Sequence, residues 1–273
     1  MPAKDHLSVS QIETHNHCGE RHRLRYAEGL KEPASPDLIR GRVIHQSVAR
    51  DMRAKRDAGA LLETEAIRDL ASDDIEAGFK EEIRLSEEES ALGINAVKAE
   101  AKHISIRLSS THHLLAAPKI APASIEERIE IEHPATGKLV AILDLTDAED
   151  RIRDTKTAKK APDEGAADRS MQLTAYQLAF HAKNKRPPSA LVLDNLIFRA
   201  PTKTLPERAE YLPLEAPPRS SAMLQAFIDR VEITRASIAS GIAVPTDLSS
   251  WKCSPKYCGF FGDACRYTRG LKK

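Results

Sequence analysis

Two short β-type runs, residues 138–147 and 151–157, are separated only by Ala148, Glu149 and Asp150. A loop that short makes an antiparallel hairpin and fixes its register, so that cross-strand partners carry numbers summing to 298. Asp144 then stands opposite Asp154, and the period of two places Lys156 on the same face as Asp154. Opposed side chains have Cβ atoms about 5 Å apart, and two carboxylates at that spacing repel each other unless something cationic lies between them. Two readings fit these residues. One is a surface hairpin with scattered charges; the other is a pair of oxygen ligands for a hard divalent cation, with the fixed charge of Lys156 beside it. The apolar flanks Ile142, Leu143 and Leu145 bring the carboxylates close to a buried layer, which favours the second.

The hairpin sits inside a β-meander, because a further β-type run covers 125–133 and is separated from it by Pro134-Ala-Thr-Gly137. Downstream the pattern predicts a helix over 168–183, an apolar strand over 190–199, a weaker strand near 207–213 and a helix from Pro218 to Ser240. Upstream, Ser8-x-x-Gln11 opens a helix over 8–28 that carries Cys18 and ends at Gly29. Ser35-Pro36-Asp37 starts another that runs to about residue 57, with Ile39, Val43, Ile44, Val48 and Met52 at helical spacing. Charged helical stretches follow over 61–82 and 86–110. The expected organisation is one α/β domain: a helical region over 1–118, a core over 119–215, and a C-terminal helix and cysteine-rich segment over 216–273.

With 273 residues, 41% hydrophobic and 30% charged, the chain has the composition of a globular domain rather than a collagen-like, prion-like or disordered one. Lys and Arg number 41 against 40 Asp and Glu, so the net charge of +1 gives no general attraction to nucleic acid, and any such site must be a local patch. Lys156, Lys159, Lys160 and Arg169 are candidates, although Lys159 and Lys160 fit a solvated loop equally well. No apolar window of membrane-spanning length occurs, and the N-terminus runs into a polar helical pattern, so the expected location is cytoplasmic with no membrane partner. In a reducing compartment four cysteines point to a metal or redox role rather than to two disulfides. Cys253-x4-Cys258-x6-Cys265 is compact enough for a metal-binding loop but supplies three thiolates, and Cys18 supplies the fourth. Joining Cys18 to Cys253 closes a loop of about 235 residues, worth roughly 5 kcal/mol in the chain-entropy account. No GxxxxGK[ST] phosphate loop is present, so the chain is not an ATP-driven motor by itself.

Asp144 followed by Asp154-x-Lys156 resembles the PD-(D/E)XK nuclease superfamily, and the flanking motifs resemble its RecB-like branch. Gly41-Arg-Val-Ile-His45 matches that branch's G-x-x-x-H motif, and Gln172-Leu-Thr-Ala-Tyr176 matches its Q-x-x-x-Y motif, in the expected order. By itself His45 reads only as a histidine on a semi-apolar helix face, and Gln172 and Tyr176 only as neighbours at i and i+4. The contiguous His15-Asn16-His17 carries no weight as an HNH nuclease motif, because that motif is dispersed over a ββα unit. The one-plus-three cysteine pattern is similar to the iron-sulfur nucleases of this branch, AddB-like and CRISPR-associated RecB-like, and with Trp251 and Tyr26 it resembles phage and bacterial members.

The resemblance implies a restriction-endonuclease-like core, a mixed central sheet flanked by helices. It implies hydrolysis of DNA phosphodiesters with Mg2+ or Mn2+ held by His45, Asp144, Asp154 and the Thr155 carbonyl. Lys156 would act on the phosphate or orient the attacking water, Gln172 would support the site, and Tyr176 would border it. It further implies a [4Fe-4S] cluster on Cys18, Cys253, Cys258 and Cys265, with Zn2+ on the same thiolates as the alternative. The expected activity is exonucleolytic on single-stranded or end-containing DNA, with a recombination, helicase or CRISPR adaptation partner. The alternative is a non-catalytic iron-sulfur nucleic-acid-binding or recombination accessory protein of the same fold. Leu143 stands where the superfamily name has Pro, a departure common in the RecB-like branch.

Overall fold

The computed structural model describes residues 6–134 and 136–271. Its centre is a six-stranded mixed sheet, with β1 (Leu7–Ser8), β2 (Pro122–His133), β3 (Gly137–Asp147), β4 (Arg151–Ala158), β5 (Ala190–Arg199) and β6 (Arg208–Ala216). The order is β1-β3-β4-β5-β6, with β2 paired to β3. The apolar run 190–199 forms the buried strand β5, parallel to β4 on one side and antiparallel to the edge strand β6 on the other. The expected core strands are all present, with ends shifted by a few residues.

Helices cover both faces. Helix α1 (Val9–His17), α7 (Met171–Asn184) and α8 (Ser221–Ala239) pack on one side, where Ile12, Leu143, Leu173, Tyr176, Leu191 and Val231 form one core. On the other side α3 (Pro36–Ala58) and α6 (Ile94–Thr111) press Ile44, Val48, Met52, Ile104 and Leu108 against Leu145 and Leu196. Helix α4 (Thr64–Gly78) lies outside α3 and α6 over a third cluster that includes Ile39, Val43 and Ile75. The Ser35 side chain caps α3 and Pro36 occupies its first turn, as the sequence predicts. Among the described residues no helix is long and apolar enough to cross a membrane.

Three expectations are corrected. The helix predicted over 8–28 breaks at Cys18, whose backbone is extended (φ −161°, ψ 106°), and resumes as α2 (Gly19–His22) and a π-turn over Arg23–Ala27. The cause is distant in sequence: Gly19 N–H donates to Val244 O at 2.7 Å, and a Cβ on Gly19 would lie 2.7 Å from Val244 N. The stretch 86–110 divides into α5 (Glu87–Leu92) and α6 at Gly93, which takes a positive φ of 83°. The region expected to be wholly helical also contributes β1, which pairs in parallel with Leu139 and Val140 of β3.

Candidate active site

Leu145 pairs with Arg153 and Thr146 with Ile152, so the observed register sums to 298 as the loop length requires. Those two pairs are the whole β3–β4 ladder, after which β4 stays with β5 along its full length. On the same edge of β3, β1 pairs only with Leu139 and Val140, so residues 141–144 lie between two short ladders. Asp144 faces Asp154 at the point where the strands part. Leu143 and Leu145 would share a face of a regular strand, yet they enter opposite cores, so β3 rolls over at Asp144. Opposite this point β2 has Glu126 at φ 49°, a local irregularity of the kind that re-aims a strand side chain.

The side chains expected at the site converge. His45 on α3 reaches across to β3 with Nδ1 3.0 Å from Asp144 Oδ2, and the Thr155 N–H donates to the same oxygen at 3.2 Å. Lys156 Nζ lies 2.7 Å from Asp154 Oδ2 and donates to Gln172 Oε1 at 2.7 Å. Gln172 Nε2 donates to the Tyr176 hydroxyl at 2.5 Å, so a chain of contacts runs from Asp154 through the lysine to a buried tyrosine on α7. Lys156 is the ion-pair partner of this fully buried carboxylate, which accepts no backbone N–H or other side-chain hydrogen bond. Gly41 meets nothing within 4 Å of where a Cβ would be, so packing gives no reason for that glycine.

Burial drives the Asp154 carboxyl up to about 7, assisted by the Asp144 charge and opposed by Lys156. Burial also pulls Asp144 upward, but His45, Lys156 and the Thr155 N–H together outweigh it and hold that carboxyl below its usual range. The two carboxyls are thus pushed apart, as like charges sharing one site must be. Burial opposes the charged form of His45, yet Asp144 and Asp154 prevail and raise its affinity for a proton. Burial keeps the Tyr176 hydroxyl protonated.

An imidazole and two carboxylates are donors that a divalent cation can take, and the buried Asp154 oxygens, with only the Lys156 charge beside them, are the atoms such an ion would satisfy. Among the described residues no group of three or more His, Cys, Asp or Glu side chains stands in an arrangement that could hold a metal ion. His45 pairs with Asp144 while Asp154 pairs with Lys156.

Several polar residues around the site were not singled out from sequence. Arg153, only 7% exposed, donates to both oxygens of Asp194 at 2.9 and 2.7 Å, and the Tyr211 hydroxyl donates to Asp194 at 2.7 Å. A cavity of about 30 Å³ lies between this network and the site, lined by His45, Asp144, Thr155, Arg153, Asp194 and the buried His112. The signal in the sequence was Asp194, a carboxylate set with Asn195 inside an apolar run. Glu13 on α1 is close enough for its charge to be felt by Lys156, and burial raises its carboxyl. Of the basic candidates, Arg169 is paired with Asp163, whereas Lys159 is exposed beside a groove described below.

The four cysteines are free thiols that line one cavity of about 240 Å³, together with Leu24, Trp251 and Phe261. The break after α1 brings Cys18 there, and its Sγ accepts from the Arg21 N–H at 3.4 Å. Cys258 and Cys265 pack with Leu24 and Phe260. Burial pushes the Cys253 and Cys258 thiols up.

The sequence matches the family described as the PD-(D/E)XK nuclease superfamily over residues 6–266. No curated protein matches it in sequence. Among solved structures it resembles one described as "Putative exonuclease" from Eubacterium rectale, with TM-score 0.54 and 14% identity over 99% of this chain and 90% of that one. A second, the protein SSO0001, superposes weakly at TM-score 0.32 and 15% identity, over 91% of each chain.

Proposed function

This chain belongs to the PD-(D/E)XK nuclease superfamily, and from that premise we propose that it is a metal-dependent deoxyribonuclease of the RecB-like branch, an exonuclease acting on single-stranded or end-containing DNA. The observation that carries this reading is the buried Asp154, facing Asp144 with only the Lys156 charge beside it, 2.7 Å away. His45, Asp144, Asp154 and the Thr155 carbonyl would hold Mg2+ or Mn2+. When bound, the ion supplies the positive charge that polarises a phosphodiester and acidifies the attacking water. Lys156 bears on the phosphate, where it offsets negative charge that develops during attack. Gln172 fixes the lysine through its amide oxygen, and Tyr176 fixes Gln172, so both are positioning residues.

An end-labelled single strand, an end-labelled duplex and a closed circle incubated with Mn2+ test the reading. Loss of label with the circle intact is expected. A circle cut as fast as linear DNA would contradict exonuclease action, and no cleavage of any substrate would contradict nuclease action. Processive degradation of duplex would require a helicase or recombination partner, in phage, repair or CRISPR DNA processing.

The four thiols line one cavity of about 240 Å³, and by the one-plus-three spacing of Cys18 against Cys253, Cys258 and Cys265 they would hold a [4Fe-4S] cluster, with zinc on the same thiolates as the alternative. The cluster would fasten the N-terminal helices to the C-terminal segment. Anaerobically purified protein is expected to be brown with about four irons per chain, and Cys18→Ala to lose the colour and become protease-sensitive. Colourless protein with one zinc, or Cys18→Ala with full iron and stability, would contradict this assignment.

A further inference from the structure

Outside the carboxylate site a groove of about 1170 Å³ lies between the segment 21–42 on one side and residues 81–89 and 256–257 on the other. Thr157, Ala158 and Lys159, which directly follow Lys156 at the end of β4, line it, so the groove opens onto the strand that carries the Asp154–Lys156 pair. Eight Arg and Lys line it against four Asp and Glu, a local surplus on a chain that is nearly neutral overall. The carboxylates do not cancel it: Glu32 alone is shared by Arg21 at 2.8 Å, Arg84 at 3.6 Å and Arg25 at 3.8 Å. Arg40 Nε and Arg84 Nη1 have no hydrogen-bond partner, although both side chains are largely covered. Arg25 and Arg42, by contrast, are solvent-exposed on the same wall.

The groove also holds aromatic surface. Tyr26, with the Arg25 guanidinium 5.2 Å from its ring centre, stands on one wall. Tyr257, 43% exposed, stands on the other. The second wall is anchored to the first, since Gly259 N–H donates to Glu32 at 2.8 Å and Arg84 N–H donates to Ala34 O at 3.0 Å. Positive charge interleaved with aromatic rings suits a nucleic-acid strand whose bases are unpaired, because a ring can stack only on a base face that no neighbouring pair covers. The interior of a duplex offers no such face.

Resting on the nuclease reading above, we propose that this groove binds the phosphates and unpaired bases of one DNA strand leading away from the scissile phosphate, and that it selects single strand over duplex. Binding of a fluorescent oligothymidylate and of a duplex of equal length, measured by anisotropy in EDTA over a range of salt, tests it. The wild type is expected to bind the single strand at least about tenfold more tightly than the duplex. Tyr26→Ala should weaken single-strand binding about fivefold or more. Arg25→Gln with Arg42→Gln should reduce the slope of log affinity against log salt by about 1.4, or about 0.7 for each phosphate no longer neutralised. Because Tyr26 also touches His22, thermal melting accompanies its variant, and the exposed double-arginine variant keeps the test decisive if Tyr26→Ala is unstable. Equal affinity for single strand and duplex, or an unchanged salt slope in the double variant, would overturn the proposal. Failure to cleave any DNA with Mn2+ while these binding results held would overturn the nuclease reading and leave the groove standing.

Discussion

Asp154→Asn is expected to abolish Mn2+-dependent cleavage while making the metal-free protein more stable at neutral pH. Both effects come from one buried carboxylate that faces another. Losing a cation ligand at the reacting phosphate should lower the rate by on the order of 10³-fold or more. The stability effect has a defined pH window. As pH rises past about 4, the unfolded chain releases this proton, whereas the folded chain retains it up to about 7 because burial disfavours the charge. The wild type therefore loses up to about 4 kcal/mol from this group across that interval. Asparagine has no proton to release, so the gain should be absent below about pH 4, grow towards pH 7 and level off above it. Denaturant unfolding of both proteins in EDTA at pH 4 and pH 8 checks this. A variant less stable than wild type at pH 8 would mean that Asp154 is not held against its own charge. Lys156→Ala should also lose cleavage on the order of 10³-fold, but for a different reason, since the lysine bears on the phosphate.

Asp194→Ala should produce the largest loss of stability among these changes. Arg153 is almost wholly buried, and both of its bonds to Asp194 would vanish, leaving a guanidinium charge in the sheet with Asp147 Oδ2 at 3.4 Å as its remaining carboxylate. Removing one partner of a buried pair typically costs about 3–5 kcal/mol, and the contact to Asp147 places the expectation near 3. The double change Arg153→Leu with Asp194→Leu should cost markedly less than Asp194→Ala, because it removes the stranded charge as well as its partner. Urea unfolding of the single and double variants separates these terms. A loss below about 1 kcal/mol in Asp194→Ala would mean that the charge finds solvent, contrary to its burial.

The parts of this structure that follow from local rules were legible in the sequence. A three-residue loop and the period of two set the register that brings Asp144 opposite Asp154, and Ser35-Pro36 marks the start of α3 within a residue. The parts that depend on distant contacts were not. Nothing near Cys18 announces that the helix must break there, because the partner that holds Gly19 is Val244, at the other end of the chain. The two-residue β1 is too short to carry a periodic signal, and it exists because β3 has a free edge at Leu139 and Val140. By its own residue pattern His45 is one histidine among ten, singled out only by the G-x-x-x-H resemblance, and its place against Asp144 follows from α3 packing across the sheet. The roll of β3 at Asp144 likewise has no counterpart in the continuous apolar run Leu139–Leu143 that leads into it. Asp194 was visible as an anomaly in an apolar strand, but its partner Arg153 becomes evident only when β4 and β5 lie side by side.

The central claim is that the opposed carboxylates form a cation site from which Lys156 acts on a phosphate. Calorimetric titration of Mn2+ into wild type, Asp154→Asn and Lys156→Ala tests it most directly. Saturable binding in wild type, its loss in Asp154→Asn and its retention in Lys156→Ala are expected. Wild-type Mn2+ affinity in Asp154→Asn would contradict the claim and leave this hairpin a charged strand pair with no metal.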